Sequence, residues 1–302
     1  MINQRKVGRF PIPFKINIVA PSRRLPEDLV APLKEVARRA VGDEVVLSFD
    51  DQCFLSSGHF AGTDRERTAA FIRAANDETA SAVWFARGGY GSGRLSVDFE
   101  NDLSPAAHNK RYLGYSDVGF LLADLYAAKV GTNAHGPMAY DLARDGGEAA
   151  IERALRWLTG TSDKNDFDAD LPVANGDDRD TAAPRVAFNA TVLAHALPKL
   201  PVDLFAGHIL VVEEVAEYHY AFDRSLSAIL SAPHAKELRG LKLGRVSAIP
   251  DDPDQVPFGS TTEEIAQYWC DRASIPFLGR ADIGHDIDNK IVRFGAATTG
   301  NR

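Results

Sequence analysis

Lys110-Arg111-Tyr112-Leu113-Gly114-Tyr115-Ser116-Asp117 is the stretch on which the fold turns. Its first residues read as a short buried strand. After Asp117, Val118, Leu121, Leu122, Leu125 and Tyr126 recur at the spacing of one helix face. Ser116 therefore stands at a strand-to-helix junction, where a side chain is held exposed beside the free N–H groups of the helix start. Gly114 and Gly119 leave room for a sharp turn, the geometry a nucleophilic serine needs. The hydrolase pattern G-x-S-x-G is not met, because the second glycine comes one residue late. The plainer alternative is that Ser116 only caps the helix.

A second glycine cluster lies upstream. Ser81-Ala82-Val83-Trp84-Phe85-Ala86 reads as a buried strand and runs into Arg87-Gly88-Gly89-Tyr90-Gly91-Ser92-Gly93. Glycines after a strand let backbone approach a ligand closely, with N–H groups free to receive an anion. The spacing is not that of a dinucleotide fingerprint, and the Gly-Lys-Ser/Thr ending of a phosphate loop is missing. A flexible surface turn is the bland alternative.

From these two junctions the pattern extends outward. Strands are expected at 16–20, 45–49, 81–86, 110–115 and 130–134. Helices are expected at 26–41, from the capping box Thr63-Asp64-Arg65-Glu66, at 117–128 and at 148–158. This alternation predicts an α/β fold, with a mainly parallel sheet flanked by helices over residues 1–158. Ligands of such sheets bind at the carboxyl ends of the strands, which puts the Gly88–Gly91 loop and Ser116 at one site. Residues 159–183, rich in Asp, Gly, Asn and Thr, read as an acidic linker. Residues 184–302 read as a smaller β-rich domain. Its strands are expected at 184–194, 209–213, 243–249 and 290–294, with helices near 223–230 and 261–273.

At 302 residues the chain can bury one large or two medium cores. Its net charge of −8 argues against nucleic acid or an anionic membrane as partner. Seven aspartates against Lys164 and Arg179 give the linker −5, which leaves −3 for the rest, so the bulk of the protein carries no strong field. Cys53 and Cys270, the only cysteines, are too few for a disulfide framework or a zinc site and read as reduced, buried thiols. No signal peptide or membrane-length apolar run is visible, which predicts a cytoplasmic protein. Neither H-E-x-x-H nor paired cysteines occur, so no metal and no cofactor are expected.

A serine nucleophile needs a base and a group that orients it. Of eight histidines, His285 follows Ile283-Gly284 in a loop flanked by Asp286 and Asp288, while His135 ends strand 130–134 and is its rival. A solvated loop histidine is the plain alternative for the first, a hydrogen-bonded structural histidine for the second. For the acid, Glu213, Glu214 and Glu217 compete. Strand parity puts Glu213 and Glu214 on opposite faces, so that only one faces the cleft. Glu217 pairs with a base, contacts substrate or merely starts a helix.

Phe60-Ala61-Gly62-Thr63-Asp64, Arg67, Arg87-Gly88-Gly89-Tyr90-Gly91, Gly114-Tyr115-Ser116-Asp117 and His135-Gly136-Pro137-Met138 follow one another in the order seen in the serine LD-carboxypeptidases. Val212-Glu213-Glu214-Val215, Tyr220, Asp223-Arg224 and Ile283-Gly284-His285 continue the resemblance over nearly the whole chain. That family includes muropeptide LD-carboxypeptidases and microcin C immunity peptidases. The resemblance implies a metal-independent triad of Ser116, Glu213 and His285, with an oxyanion hole on the backbone N–H groups of Gly89 and Asp117. It implies a shaping role for the His135 turn and substrate contacts from Arg87, Gly88, Tyr90, His135 and Glu217. The implied reaction releases the terminal D-alanine of a muropeptide tetrapeptide at an L-centre diamino acid, as in peptidoglycan recycling. A microcin C-type detoxifying peptidase and a non-catalytic binding protein are the alternatives. The expected partner is a small peptide substrate; a homodimer is left open. The sequence departs from the family where Gly-Gly-Asn-Leu usually opens the second domain, since Val186–Leu193 keeps the asparagine without the glycine pair. That change bears on the substrate more than on the chemistry.

Overall fold

The computed structural model describes residues 13–167, 183–251 and 256–295. Among the described residues ten strands form two sheets. The first contains β1 (Phe14–Val19), β2 (Val45–Phe49), β3 (Ala80–Phe85), β4 (Arg111–Gly114), β5 (Thr132–His135) and the late β10 (Val292–Arg293), in the order β10-β5-β4-β3-β1-β2. All neighbours are parallel except β10, which runs antiparallel to β5. The second contains β6 (Arg185–Asn189), β7 (Ile209–Val215), β8 (Gly240–Ser247) and β9 (Phe277–Arg280), in chain order and all parallel. The mixed α/β architecture with a larger parallel sheet and a smaller second one is that expected from the sequence.

β3 shows why the first sheet forms. Ala82 and Trp84, with Ala86 just past the strand, pack into one core with α1 (Val30–Val41) and α4 (Glu148–Thr159). Val83 and Phe85 pack into another with α2 (Asp64–Asn76) and α3 (Gly119–Ala127). A strand buried on both faces must be apolar, as this one is from Ala82 to Phe85. The second core runs on without a break into the second sheet, through Val186, Phe188 and Val211. The expected capping box at Thr63 is formed, and Thr261 forms another with Glu264.

The second half differs from its expected pattern. The strand expected at 184–194 stops at Asn189, whose side chain accepts from the N–H of Val192 and starts α5 (Ala190–Ala196). With α6 (His219–Ser231) and α7 (Thr262–Ala273), this half alternates strand and helix as the first does. β9 was not legible, and the strand expected at 290–294 joins the first sheet, tying the chain's end back to β5. Within the expected linker, Thr159 ends α4 and Lys164–Asp166 form one helical turn; 168–182 lie outside the described residues. Cys53 and Cys270 are buried and free, and burial pushes the Cys270 thiol up to about 12. No described helix is long and apolar enough to cross a membrane.

Candidate active site

β4 ends at Gly114, and Ser116 takes φ +60°, a left-handed conformation uncommon for a residue with a Cβ. A one-turn helix, Ser116–Val118, then leads into α3. Ser116 caps neither element with its side chain. The capping alternative therefore has no hydrogen bond behind it, and the backbone strain at this residue is what a nucleophile turn requires.

Gly88 follows β3 and crosses close to that turn. A Cβ built on it would lie 3.0 Å from both Cβ and Oγ of Ser116. Gly89 has φ +113°, and a Cβ there would run into the side chain of Arg23. Gly88 is thus used for close approach to Ser116, while Gly89 and Tyr90 lie exposed at the tip of the loop. Three buried groups fix this loop. Arg67 donates to the carbonyl of Gly91 at 2.7 Å. Asp117 accepts from the N–H of Ser92 at 2.8 Å and from the Ser22 hydroxyl at 2.5 Å. The Ser92 hydroxyl in turn donates to the Asp117 carbonyl. Gly88 is thereby held against Ser116, and Gly89 and Asp117 line the same cleft as that residue.

Glu213 lies near the end of β7, at an irregularity in the pairing with β8. Gly244 makes room for it, because a Cβ there would meet the Glu213 Cβ at 3.0 Å. The Glu213 side chain is fully buried and one of its oxygens accepts a hydrogen bond from Nδ1 of His285. A carboxylate only accepts, so Nδ1 carries the proton and Nε2 is left as the basic nitrogen. Burial opposes charge on His285, but Glu213, and behind it Glu214 and Asp141, outweigh it and hold the imidazole above its ordinary pKa. Tyr115 packs its ring 4.9 Å from that of His285 and donates to Asp141 at 2.8 Å.

Glu214 points the other way, as strand parity requires. It accepts from the Asn189 side chain, at 2.5 Å, and from the N–H groups of Thr191 and Val215, at 2.8 and 2.9 Å. Burial raises its pKa. Contrary to the expected geometry, Glu214 lines the cleft and Glu213 stands behind His285.

Ser116, Asp117, Gly89, Tyr90, Glu217 and His285 line one cleft of about 550 Å³ between the two halves. His135 does not reach it. That residue is buried, its Nε2 lies 3.2 Å from Oδ1 of Asn289, and burial lowers its pKa to about 4, which keeps it neutral. The turn it begins is fixed by Trp84, whose indole donates to the Pro137 carbonyl at 2.9 Å. Arg87 is not brought to the cleft. Its guanidinium stacks 3.6 Å from the Tyr140 ring centroid and donates to the Arg24 carbonyl. Sequence reasoning missed Ser22, Ser92, Asp141 and Asn289. Only the polar character of Pro21-Ser22 and of the loop after His285 hinted at them.

The N-terminal domain model of the LD-carboxypeptidases matches residues 16–136 and their C-terminal domain model matches 186–299. A Synechocystis protein named "Putative carboxypeptidase slr1534" is 30% identical over 93% of this chain and 89% of its own length. The chain belongs to the LD-carboxypeptidase family. A murein tetrapeptide carboxypeptidase of Pseudomonas aeruginosa is 26% identical over 97% of this chain and 95% of its own. The crystal structure of muramoyltetrapeptide carboxypeptidase from Oxalobacter formigenes matches with a TM-score of 0.73 at 24% identity, covering 93% and 92% of the two chains. MccF bound to glutamyl sulfamoyl guanosine matches with a TM-score of 0.66 at 16% identity, over 96% and 98%. At these identities the two structures share the fold with this chain, which is that of a peptidase family.

Proposed function

We propose that this protein is a serine carboxypeptidase that releases the terminal D-alanine from murein tetrapeptides, cutting the amide at the L-centre of the diamino acid. The observation that carries the mechanism is the bond from His285 to a buried carboxylate, in the cleft onto which the strained Ser116 turn opens. Relatives named for murein tetrapeptides support the substrate.

In this mechanism Nε2 of His285 takes the Ser116 proton as Oγ attacks the carbonyl carbon. The tetrahedral oxyanion accepts from the N–H groups of Gly89 and Asp117, which are worth more in a cleft than in water. His285 then gives its proton to the departing amine of D-alanine, and the acyl group stays on Ser116. Water, deprotonated by His285, releases it and restores the hydroxyl. Glu213 keeps the imidazole in the required tautomer and stabilises its charged form. Residues 1–158 would thus supply the nucleophile, and 184–302 the base and acid.

The test is chromatography of the products from a panel of tetrapeptides, with chelator present. D-Alanine should appear from the tetrapeptide with an L-centre amide and not from its D-centre or L-alanine counterparts. Turnover of an aminoacyl sulfamoyl nucleotide instead would replace this substrate with a microcin-type one.

A further inference from the structure

His285 sits in the segment Asp282–Asn289, which is gripped from both halves of the molecule. From β8, Arg245 forks onto Asp286, at 2.5 and 2.8 Å, and onto Asp282, at 2.5 Å. From α4, Arg153 sends one guanidinium nitrogen to the backbone carbonyls of Ile287, at 3.0 Å, and Asn289, at 2.9 Å. Arg153 is only 6% exposed, and Asp166, Asp288 and Asp282 act on it through space, without a direct pair. Burying a cation is costly, and here its charge is directed at loop carbonyls. The side-chain oxygen of Asn289, next in this chain of bonds, accepts from the N–H of Gly284 at 3.2 Å and faces His135 at the same distance.

We propose that Arg153 is a positioning residue for His285, fixing the loop so that the imidazole meets Glu213 on one side and the cleft on the other. The proposal rests on the serine-peptidase reading of the site. Glu213 and Glu214 on β7, Tyr115, Asp141 and His135 face His285 or act on it from the packed elements. Arg153 reaches it only through the loop backbone. A tie that merely joins α4 to the second half would stabilise the protein without setting the base.

The experiment compares wild type with Arg153→Gln, Arg153→Lys and Asn289→Ala, using murein tetrapeptide hydrolysis and proton NMR of the downfield Nδ1–H shared by His285 and Glu213. Near-ultraviolet circular dichroism checks folding. Arg153→Gln should lose kcat by up to about a hundredfold at unchanged KM, the scale expected when a reacting group is slightly misplaced. Arg153→Lys should recover part of that loss, and the downfield resonance should broaden or vanish in Arg153→Gln. Should that variant fail to fold, Asn289→Ala, which removes the side-chain bonds to Gly284 and His135 and keeps the carbonyl held by Arg153, should show the same loss. Wild-type kcat with an unchanged resonance, in folded Arg153→Gln or Asn289→Ala, would overturn the proposal. If wild type hydrolyses no tetrapeptide, the resonance decides alone: loss in Arg153→Gln upholds the brace and persistence overturns it.

Discussion

The Ser116 turn and the His285 loop are built by opposite means. At Ser116 the backbone does the positioning: a left-handed φ, glycines at 88 and 89 that admit close approach, and the carboxylate of Asp117 within the same turn. Around His285 the contacts come mainly from elsewhere in the chain, through Glu213, Arg245 and Arg153, with Asn289 closing the loop on itself. On the proposed reading Ser116 is the nucleophile, and local geometry leaves it half-buried on a strained turn. A base has to be held in one tautomer with its proton acceptor oriented, which only distant side chains supply.

The largest expected effect separates the two regions at their centres. Ser116→Ala and His285→Ala should each lose several orders of magnitude in kcat, and the double variant hardly more, because the two act as one unit. Both variants should still bind tetrapeptide in calorimetry. Fully additive losses would dissolve the unit.

Next comes the acid. Glu213→Gln places an amide donor against Nδ1 of His285, so kcat should collapse towards the His285→Ala level. Glu214→Gln should chiefly alter KM and stability, since that carboxylate holds Asn189, Thr191 and Val215. A larger kcat loss at Glu214 would mean that the wrong carboxylate has been assigned.

The glycine side of the comparison can be probed at Gly88→Ala, whose methyl would press on the serine side chain. Displacing Ser116 from the N–H donors should cost about 3 kcal/mol of transition-state stabilisation or less, the scale of one lost oxyanion donor. Wild-type kcat/KM would show that the close approach is incidental.

The smallest effect is on pH. His285 must be neutral to accept the serine proton, and its pKa is raised, so kcat/KM should fall as pH drops through a value above that of an ordinary histidine. Glu213→Gln removes the charge that raises it, and the acid limb should move to lower pH. A limb that moves up, or not at all, would place the titration on another group.

The same contrast explains what the sequence disclosed. The strand ends and turns at Gly88 and Ser116 were legible because strand, turn and helix are local patterns of apolar spacing and glycine. The alternation that makes the first sheet was legible for the same reason. Glu213 and His285 stood out only as a charged residue closing an apolar strand and a histidine in a polar loop; they lie 72 residues apart, and their meeting is a tertiary fact. Spacing does not say that Tyr140 offers the Arg87 guanidinium a ring face, away from the residues that line the cleft. The helix α5 was misread as strand because Asn189, a good cap, stands inside an apolar run.

The central claim is that Ser116 is activated by His285, and covalent labelling tests it most directly. Wild type, His285→Ala and Ser116→Ala are treated with a serine-directed fluorophosphonate and followed by mass spectrometry of the digested peptide. The adduct should form on Ser116 in wild type, far more slowly in His285→Ala and not at all in Ser116→Ala. An adduct on another serine, or an unchanged labelling rate without His285, would contradict the account.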